Sequence, residues 1–160
     1  MSIQIGDRLP EAILQTIRDG VHRVDTAHLF DGKRAVLFAV PGAFTPTCSE
    51  LHLPGYIERL ADFQQRGVEV MCVSVNDPFV MQAWGESRQV PEGLVLLADG
   101  NADFTRAIGL EMDGSAYGMG LRSKRYALYI EDGVVKDVQV EAPGELRVST
   151  AEHMLGRIPS

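Results

Sequence analysis

Apolar residues along the chain follow two periods, one typical of strands and one typical of helices. Runs in which apolar residues are consecutive or alternate with polar ones predict strands. The predicted strands are 12–17, 21–24, 35–40, 68–75, 94–97, 126–130 and 134–140. Asp19-Gly20 and Asp132-Gly133 are typical hairpin turns, so they pair the first two strands and the last two.

Helical patterns lie between most of these strands. A turn or short helix is predicted over 26–30, a helix from Cys48 to about Arg66, and another over 103–108. Asp77-Pro78 and the capping box at 149–152 predict two more helix starts. The apolar positions of the Cys48 helix are Leu51, Leu53 or Pro54, Ile57, Leu60 and Ala61, and those of the next helix are Phe79, Val80, Ala83 and Trp84. The glycine-rich segment 110–121 predicts a loop.

Strand 68–75 is apolar on both faces, which predicts a central position in a parallel sheet. Together with strand 35–40 and the helix between them, it forms a βαβ unit that we expect to be right-handed. The order of elements predicts an α/β fold with a central mixed β-sheet flanked by helices, preceded by an N-terminal β-hairpin. At 160 residues, the chain is expected to form one domain over 1–160.

Composition narrows the classes of partner and compartment. The net charge of −7 argues against nucleic acid or an anionic membrane as a partner. No stretch approaches about 18 apolar residues, and residues 1–7 lack the features of a signal peptide. Two cysteines are too few for a disulfide scaffold, so a reducing cytoplasm is expected.

Cys48 lies where a predicted strand ends in a proline-containing loop and a helix begins. Free backbone N–H groups and the positive end of the helix dipole meet at such a junction and favour a thiolate, which is the nucleophilic form of cysteine. Thr45 stands three residues earlier, where its hydroxyl can act as a cap-like group. A small buried cysteine after a loop is the competing interpretation.

The ten residues from Val40 to Ser49 read VPGAFTPTCS. This segment resembles the active-site signature of peroxiredoxins, P-x-x-x-T-x-x-C, in the form typical of the type II (type five) subfamily. The similarity extends to 74–81 with Trp84, to 122–126, to Gly144-Glu145 and to 149–152. It implies a thioredoxin-like fold, with segment 94–121 and the N-terminal hairpin as additions.

A thiolate that attacks a peroxide needs a nearby cation, because negative charge develops on the leaving oxygen. Spacing alone leaves Arg122, Lys124 and Arg125 as candidates. The resemblance selects Arg125, together with Pro41, Thr45 and Cys48.

The substrate pocket is expected to include Gly42 and Phe44 of the signature. His52, four residues after Cys48, either shapes this pocket and tunes the thiolate or merely covers a helix end. The four histidines and two cysteines show no metal-ligand spacing, so neither a metal nor another cofactor is expected.

Cys72 has two interpretations. On its strand it shares a face with Val68, Val70 and Ser74, which favours a buried, small hydrophobic residue. Its spacing from Cys48, 72 − 48 = 24 residues, resembles that of the resolving cysteine in plant type II enzymes. Animal type-five enzymes instead carry a resolving cysteine near the C-terminus, where Val148 stands here, so the resemblance argues against resolution by a C-terminal cysteine.

The resemblance therefore implies a thiol peroxidase that reduces hydrogen peroxide and alkyl hydroperoxides through a sulfenic acid at Cys48. Recycling by glutathione and glutaredoxin is favoured, and thioredoxin with Cys72 as resolving cysteine is the alternative. A redox sensor that does not turn over is the non-enzymatic rival. The absence of a C-x-x-C motif argues against a disulfide reductase. The resemblance also implies a homodimer.

Overall fold

The computed structural model describes residues 2–17 and 19–160. Met1, the first residue of segment 1–7, therefore lies outside the described residues. The strands are β1 (Ile13–Thr16), β2 (His22–Asp25), β3 (Arg34–Ala39), β4 (Val68–Ser74), β5 (Leu94–Ala98), β6 (Glu111–Asp113), β7 (Leu121–Ser123), β8 (Tyr126–Glu131) and β9 (Val134–Val140). The helices are α1 (Thr26–Phe30), α2 (Leu53–Glu58), α3 (Leu60–Gln65), α4 (Pro78–Ser87), α5 (Asp103–Ala107) and α6 (Ala151–Leu155). A π-helical turn spans Cys48–His52 and a 3-10 turn spans Ser115–Tyr117.

Seven strands form one mixed sheet in the order β2-β1-β5-β4-β3-β8-β9. Strand β4 occupies the centre and pairs in parallel with β3 and β5, as its two apolar faces predict. The two predicted hairpins, β1–β2 and β8–β9, lie at opposite edges. Asp132 and Gly133 both have positive φ angles, 49° and 77°, as a tight hairpin turn requires.

Each face of the sheet carries its own hydrophobic core. One face packs against the helices that follow Cys48, α4 and α6, and its core includes Tyr56, Phe63 and Trp84. The opposite face packs against α1 and α5 through Phe30 and Phe104. Side chains alternate along each strand, so neighbouring residues contribute to different cores. No helix among the described residues combines the length and apolar character needed to cross a membrane.

Segment 110–121 and helix α4 both differ from their predictions. Segment 110–121 is not only a loop, because β6 and β7 pair as a separate two-stranded sheet with Met112 opposite Arg122. In α4 the buried side chains are Met81 and Trp84, whereas Phe79 is 68% exposed. Ala83 of the predicted apolar face is exposed as well, whereas Met81, which that prediction did not include, is buried.

The helix that begins near Cys48 is divided, and two of its predicted apolar positions, Leu51 and Ala61, are exposed. The backbone N–H of Leu53 donates to the Cys48 carbonyl, five residues back, which defines the π-helical turn. Pro54 follows in the same helical run and has no N–H, so the carbonyls of the π-helical turn lose one backbone donor. The last helix also begins differently from its prediction, because Thr150 rather than Ser149 caps α6 by accepting from the His153 N–H.

Candidate active site

The loop that carries the signature leaves β3 at the edge where parallel strands β3 and β4 both end. The N–H of Val40 donates to the Val73 carbonyl, and beyond it Pro41 has no N–H to continue the ladder. The loop is then attached to the end of β4, because the Ala43 N–H donates to Asn76 Oδ1 at 3.0 Å. The same Asn76 oxygen accepts from Ser74 Oγ at 2.6 Å. Asn76 belongs to segment 74–81 of the resemblance, but the sequence pattern does not predict this contact.

Gly42, Phe44 and Thr45 form a tight turn in this loop. The N–H and the hydroxyl of Thr45 both donate to the Gly42 carbonyl, the hydroxyl at 2.6 Å. A Cβ on Gly42 would lie 3.1 Å from Met119 Cε and 3.2 Å from Thr45 Cγ2, so a side chain there would crowd both residues. Phe44 has a φ of 67°, which is strained for a large side chain, and the residue is 53% exposed. The hydroxyl oxygen of Thr45 keeps lone pairs for a further donor.

Cys48 lies in the first helical turn, as predicted, and its side chain is fully buried. The turn starts at Thr45, whose carbonyl accepts from the Ser49 N–H at 3.0 Å. Ser49 is also attached to α4, because its hydroxyl oxygen accepts from the indole N–H of Trp84 at 2.9 Å. The sulfur is therefore held on a turn that is tied to the neighbouring helix.

Arg125 is the cation that contacts the sulfur: its Nη2 lies 3.1 Å from Cys48 Sγ. Strand β8 runs antiparallel to β3 with Tyr126 opposite Ala39, so Arg125 comes where the Cys48 loop leaves the sheet. Residues two apart along a strand lie on the same face of the sheet, so Arg125 is on the face of Ala127. Ala127 belongs to the same hydrophobic core as Cys48.

Neither of the other two candidate cations is hydrogen-bonded to the sulfur, although Arg122 Nη1 lies 3.6 Å from where a Cβ on Gly42 would stand. Arg122 is on β7, where its guanidinium donates to the carbonyls of Met119 and Val75. Lys124 is exposed, and as the neighbour of Arg125 it lies on the opposite face of the sheet.

His52 is buried next to Arg125. Its Nε2 lies 3.0 Å from the Ser149 carbonyl oxygen, which can only accept, so Nε2 carries the proton. Nδ1 then accepts from Arg125 Nη1 at 2.8 Å. Burial, followed by the charge of Arg125, lowers the pKa of His52 to about 3. The ring is therefore neutral at physiological pH and acts as a hydrogen-bond acceptor for the guanidinium.

A carboxylate that sequence reasoning missed supports this histidine. Glu141, just after β9, accepts the N–H groups of Arg147, Val148 and Ser149, and the Ser149 hydroxyl at 2.7 Å. Burial would raise the pKa of Glu141, but the hydroxyl of Ser149 and these N–H groups hold it below its usual value. The carbonyl of Ser149 in turn accepts from both His52 and Tyr56. The sequence offered no signal for this contact beyond the polar residues at 149–150.

Cys72 lies on the central strand, between Phe38 of β3 and Leu96 of β5. It is fully buried and shares the core of Cys48. Burial, and then the charge of Cys48, raise the pKa of the Cys72 thiol well above its usual value. Both cysteines are free thiols. Among residues 2–17 and 19–160, no three histidine, cysteine or acidic side chains come together as a set of metal ligands.

The arrangement is suited to nucleophilic sulfur chemistry. A buried sulfur has a guanidinium at hydrogen-bonding distance, and that guanidinium is held by a neutral imidazole. A fixed cation in a site shielded from water stabilises both a thiolate and negative charge that develops beside it.

Comparisons with known proteins agree with this chemistry. The profile of the redoxin family matches residues 4–155. The chain is 51% identical to Peroxiredoxin-2E-2, chloroplastic, from Oryza sativa subsp. japonica, over 96% of this chain and 72% of the relative. The crystal structure of a putative thioredoxin reductase from Burkholderia cenocepacia superposes with a TM-score of 0.98 at 46% identity, over all of both chains. Reduced Prx3 from Vibrio vulnificus in complex with hydrogen peroxide superposes with a TM-score of 0.93 at 51% identity, over 97% and 98% of the two chains. These likenesses confirm the predicted thioredoxin-like peroxiredoxin fold.

Proposed function

Because this chain belongs to the redoxin family, and within it to the type II/5 group of peroxiredoxins, we propose that Cys48 is the sulfur that attacks the peroxide. The protein is a thiol peroxidase, that is, an enzyme rather than only a redox sensor. The single observation that supports Cys48 most directly is the 3.1 Å contact between its buried Sγ and Arg125. The Vibrio relative captured with hydrogen peroxide supports that peroxide as one substrate. Alkyl hydroperoxides are the second substrate class of the proposal.

In the first step the Cys48 thiolate attacks the terminal oxygen of the peroxide. The S–O bond forms as the O–O bond breaks, and the leaving oxygen takes up a proton to become water or an alcohol. Arg125 stabilises the charge on both sides of this step. Thr45 positions the peroxide through its hydroxyl, while Pro41 and Gly42, with Phe44 at the rim, shape the entrance. The product at Cys48 is a sulfenic acid.

The second step returns Cys48 to the thiolate with an external thiol. Glutathione attacks the sulfenic acid, a mixed disulfide forms and water leaves; glutaredoxin then takes over the glutathione and releases the Cys48 thiolate. The position of Cys72 within the central strand, between β3 and β5, and the raised pKa of its thiol support external resolution over a bond between the two cysteines. Recycling by thioredoxin with Cys72 as resolving cysteine is the alternative outcome of the test.

The test is peroxide consumption measured side by side with the glutathione/glutaredoxin and the thioredoxin systems, on hydrogen peroxide and an alkyl hydroperoxide. Wild type should turn over fastest with glutaredoxin, and Cys48→Ser should be inactive with both systems while retaining its fold by circular dichroism. Turnover by folded Cys48→Ser would contradict the role of Cys48. Turnover with thioredoxin alone would contradict the proposed reductant.

A homodimer and a cytoplasmic location complete the proposal. Phe44, Phe79 and Tyr117 are 53%, 68% and 81% exposed and offer apolar surface for a second copy. Sedimentation of reduced protein at micromolar concentration should show a dimer, and a species that is only monomeric would contradict it.

The two free thiols support a location in the cytoplasm. Since the rice relative is named chloroplastic, fractionation of the source cells is the test of location.

A further inference from the structure

We propose that Glu141 is a positioning residue for peroxide reduction, acting through Ser149 and His52 on the Arg125 guanidinium at Cys48. The proposal rests on the function proposed for Cys48. It concerns a carboxylate that does not itself touch the sulfur, and whose contacts lead to the sulfur in four steps.

The first step is the connection between Glu141 and segment 147–149. One carboxylate oxygen, Oε2, accepts the N–H groups of all three residues, at 2.7 to 2.8 Å, and the Ser149 hydroxyl at 2.7 Å. The carboxyl group is nearly inaccessible, since the residue is 8% exposed. Bonds to a charged acceptor are stronger than neutral ones, so this segment is held firmly in one conformation.

The second and third steps pass from Ser149 to Arg125. With its N–H and hydroxyl fixed, Ser149 directs its carbonyl at His52 Nε2, 3.0 Å away. That bond selects the tautomer in which Nδ1 has a free lone pair, and Nδ1 accepts from Arg125 Nη1 at 2.8 Å. With the other tautomer, an N–H of His52 would face an N–H of the guanidinium.

The fourth step orients the charge at the sulfur. Arg125 has one nitrogen on His52 and the other, Nη2, on Cys48 Sγ. The guanidinium is planar and rigid, so fixing Nη1 also fixes the direction of Nη2. Glu141 also contacts Arg125 directly through the backbone, because the Glu141 N–H donates to the Arg125 carbonyl at 2.9 Å. Glu141 thus holds Arg125 from the backbone side and, through His52, from the side-chain end.

The test compares Glu141→Ala with a matched control, Asp137→Ala. Asp137 is a carboxylate of β9 that is 5% exposed, and it binds the Val138 N–H, Gln139 and Arg157. None of those contacts involves Ser149, His52 or Arg125. Two quantities are measured for each variant: the rate constant for oxidation of Cys48 by hydrogen peroxide, and the ¹⁵N signals of the His52 ring, assigned by their loss in His52→Gln.

Glu141→Ala should lower the rate constant by about 10- to 100-fold, as expected for a displaced reacting group. Its His52 signals should move from a single Nε2-protonated form towards a mixture of tautomers, while Asp137→Ala keeps both quantities at wild-type values. Wild-type rate and signals in Glu141→Ala, or an equal loss in Asp137→Ala, would overturn the proposal. If Glu141→Ala does not fold, Glu141→Asp, which is one methylene shorter, is judged by the same two outcomes. The His52 signals do not depend on turnover, so failure of this proposal is distinguishable from failure of the peroxidase assignment.

Discussion

Arg125 Nη2 lies 3.1 Å from Cys48 Sγ, although 77 positions of sequence separate the two residues. The contact exists because β8 runs antiparallel to β3, which brings the start of one strand beside the end of the other. The carbonyl of Arg125 is also engaged, by the Glu141 N–H, so its backbone and side chain are both held. This contact with the sulfur distinguishes Arg125 from Arg122 and Lys124, the two other cations near it in the sequence.

Replacing Arg125 should therefore affect catalysis more than replacing Arg122. Arg125→Ala is expected to lower the rate constant of Cys48 oxidation by about 10²- to 10³-fold, as for the loss of one preorganised donor. Arg122→Ala loses bonds to the Met119 and Val75 carbonyls instead and should lower the rate less. Stopped-flow measurement with hydrogen peroxide checks both variants. The reverse order of effects would show that Arg122 supplies the cation.

The neutral, buried His52 predicts that acid destabilises the fold. Its pKa is about 3 in the folded protein, against an ordinary 6.5. Between these values the unfolded chain binds a proton that the folded chain does not, so the free energy of unfolding falls as pH drops below about 6.5. Urea denaturation between pH 7.5 and 5 should show this slope in wild type and a shallower one in His52→Gln. The control is His22→Gln, at an exposed residue of β2. If its slope flattens as much as that of His52→Gln, the prediction is contradicted.

Two buried tyrosines should differ in what their hydroxyl groups contribute. Tyr56 donates to the Ser149 carbonyl at 2.7 Å, whereas the Tyr126 hydroxyl has no hydrogen-bond partner among the residues that the structure describes. Tyr56→Phe should lower the free energy of unfolding by about 1 kcal/mol, and Tyr126→Phe should leave it unchanged or raise it. Urea denaturation at pH 7.5 measures both. An equal loss in the two variants would mean that Tyr126 has a partner, such as a buried water.

Cys72 should be dispensable when glutaredoxin and glutathione supply the electrons. Cys72→Ser is expected to keep most of this activity, and to lose about 1–3 kcal/mol of stability if its buried hydroxyl finds no partner. Cys72→Ala separates the loss of the thiol from the cost of that hydroxyl. Mass spectrometry of wild type after one equivalent of peroxide should find no Cys48–Cys72 bond. Such a bond, together with inactive Cys72→Ser under both reductants, would establish intramolecular resolution.

The sequence alone determined the features that depend on neighbouring residues. Strands 68–75 and 134–140 were predicted almost to their observed ends, because a β-branched, apolar pattern is a local property. Asp77 caps α4 through the Val80 N–H, as Asp77-Pro78 predicts. The signature placed Cys48 at a strand–loop–helix junction, where the structure has it.

Only the tertiary structure decided which distant groups meet. The choice among three cations depends on the register of β8 against β3, which spacing along the chain does not contain. The contact of Glu141 with Ser149 depends on how the chain turns after β9. His52 accepts a hydrogen bond from Arg125 because its other nitrogen donates to Ser149, and both partners are distant in sequence. Local propensity reflects interactions within a few residues, whereas these contacts require the whole sheet and its helices to be assembled. The role proposed for Cys48 can therefore be predicted from the sequence, but the contacts that hold Arg125 cannot.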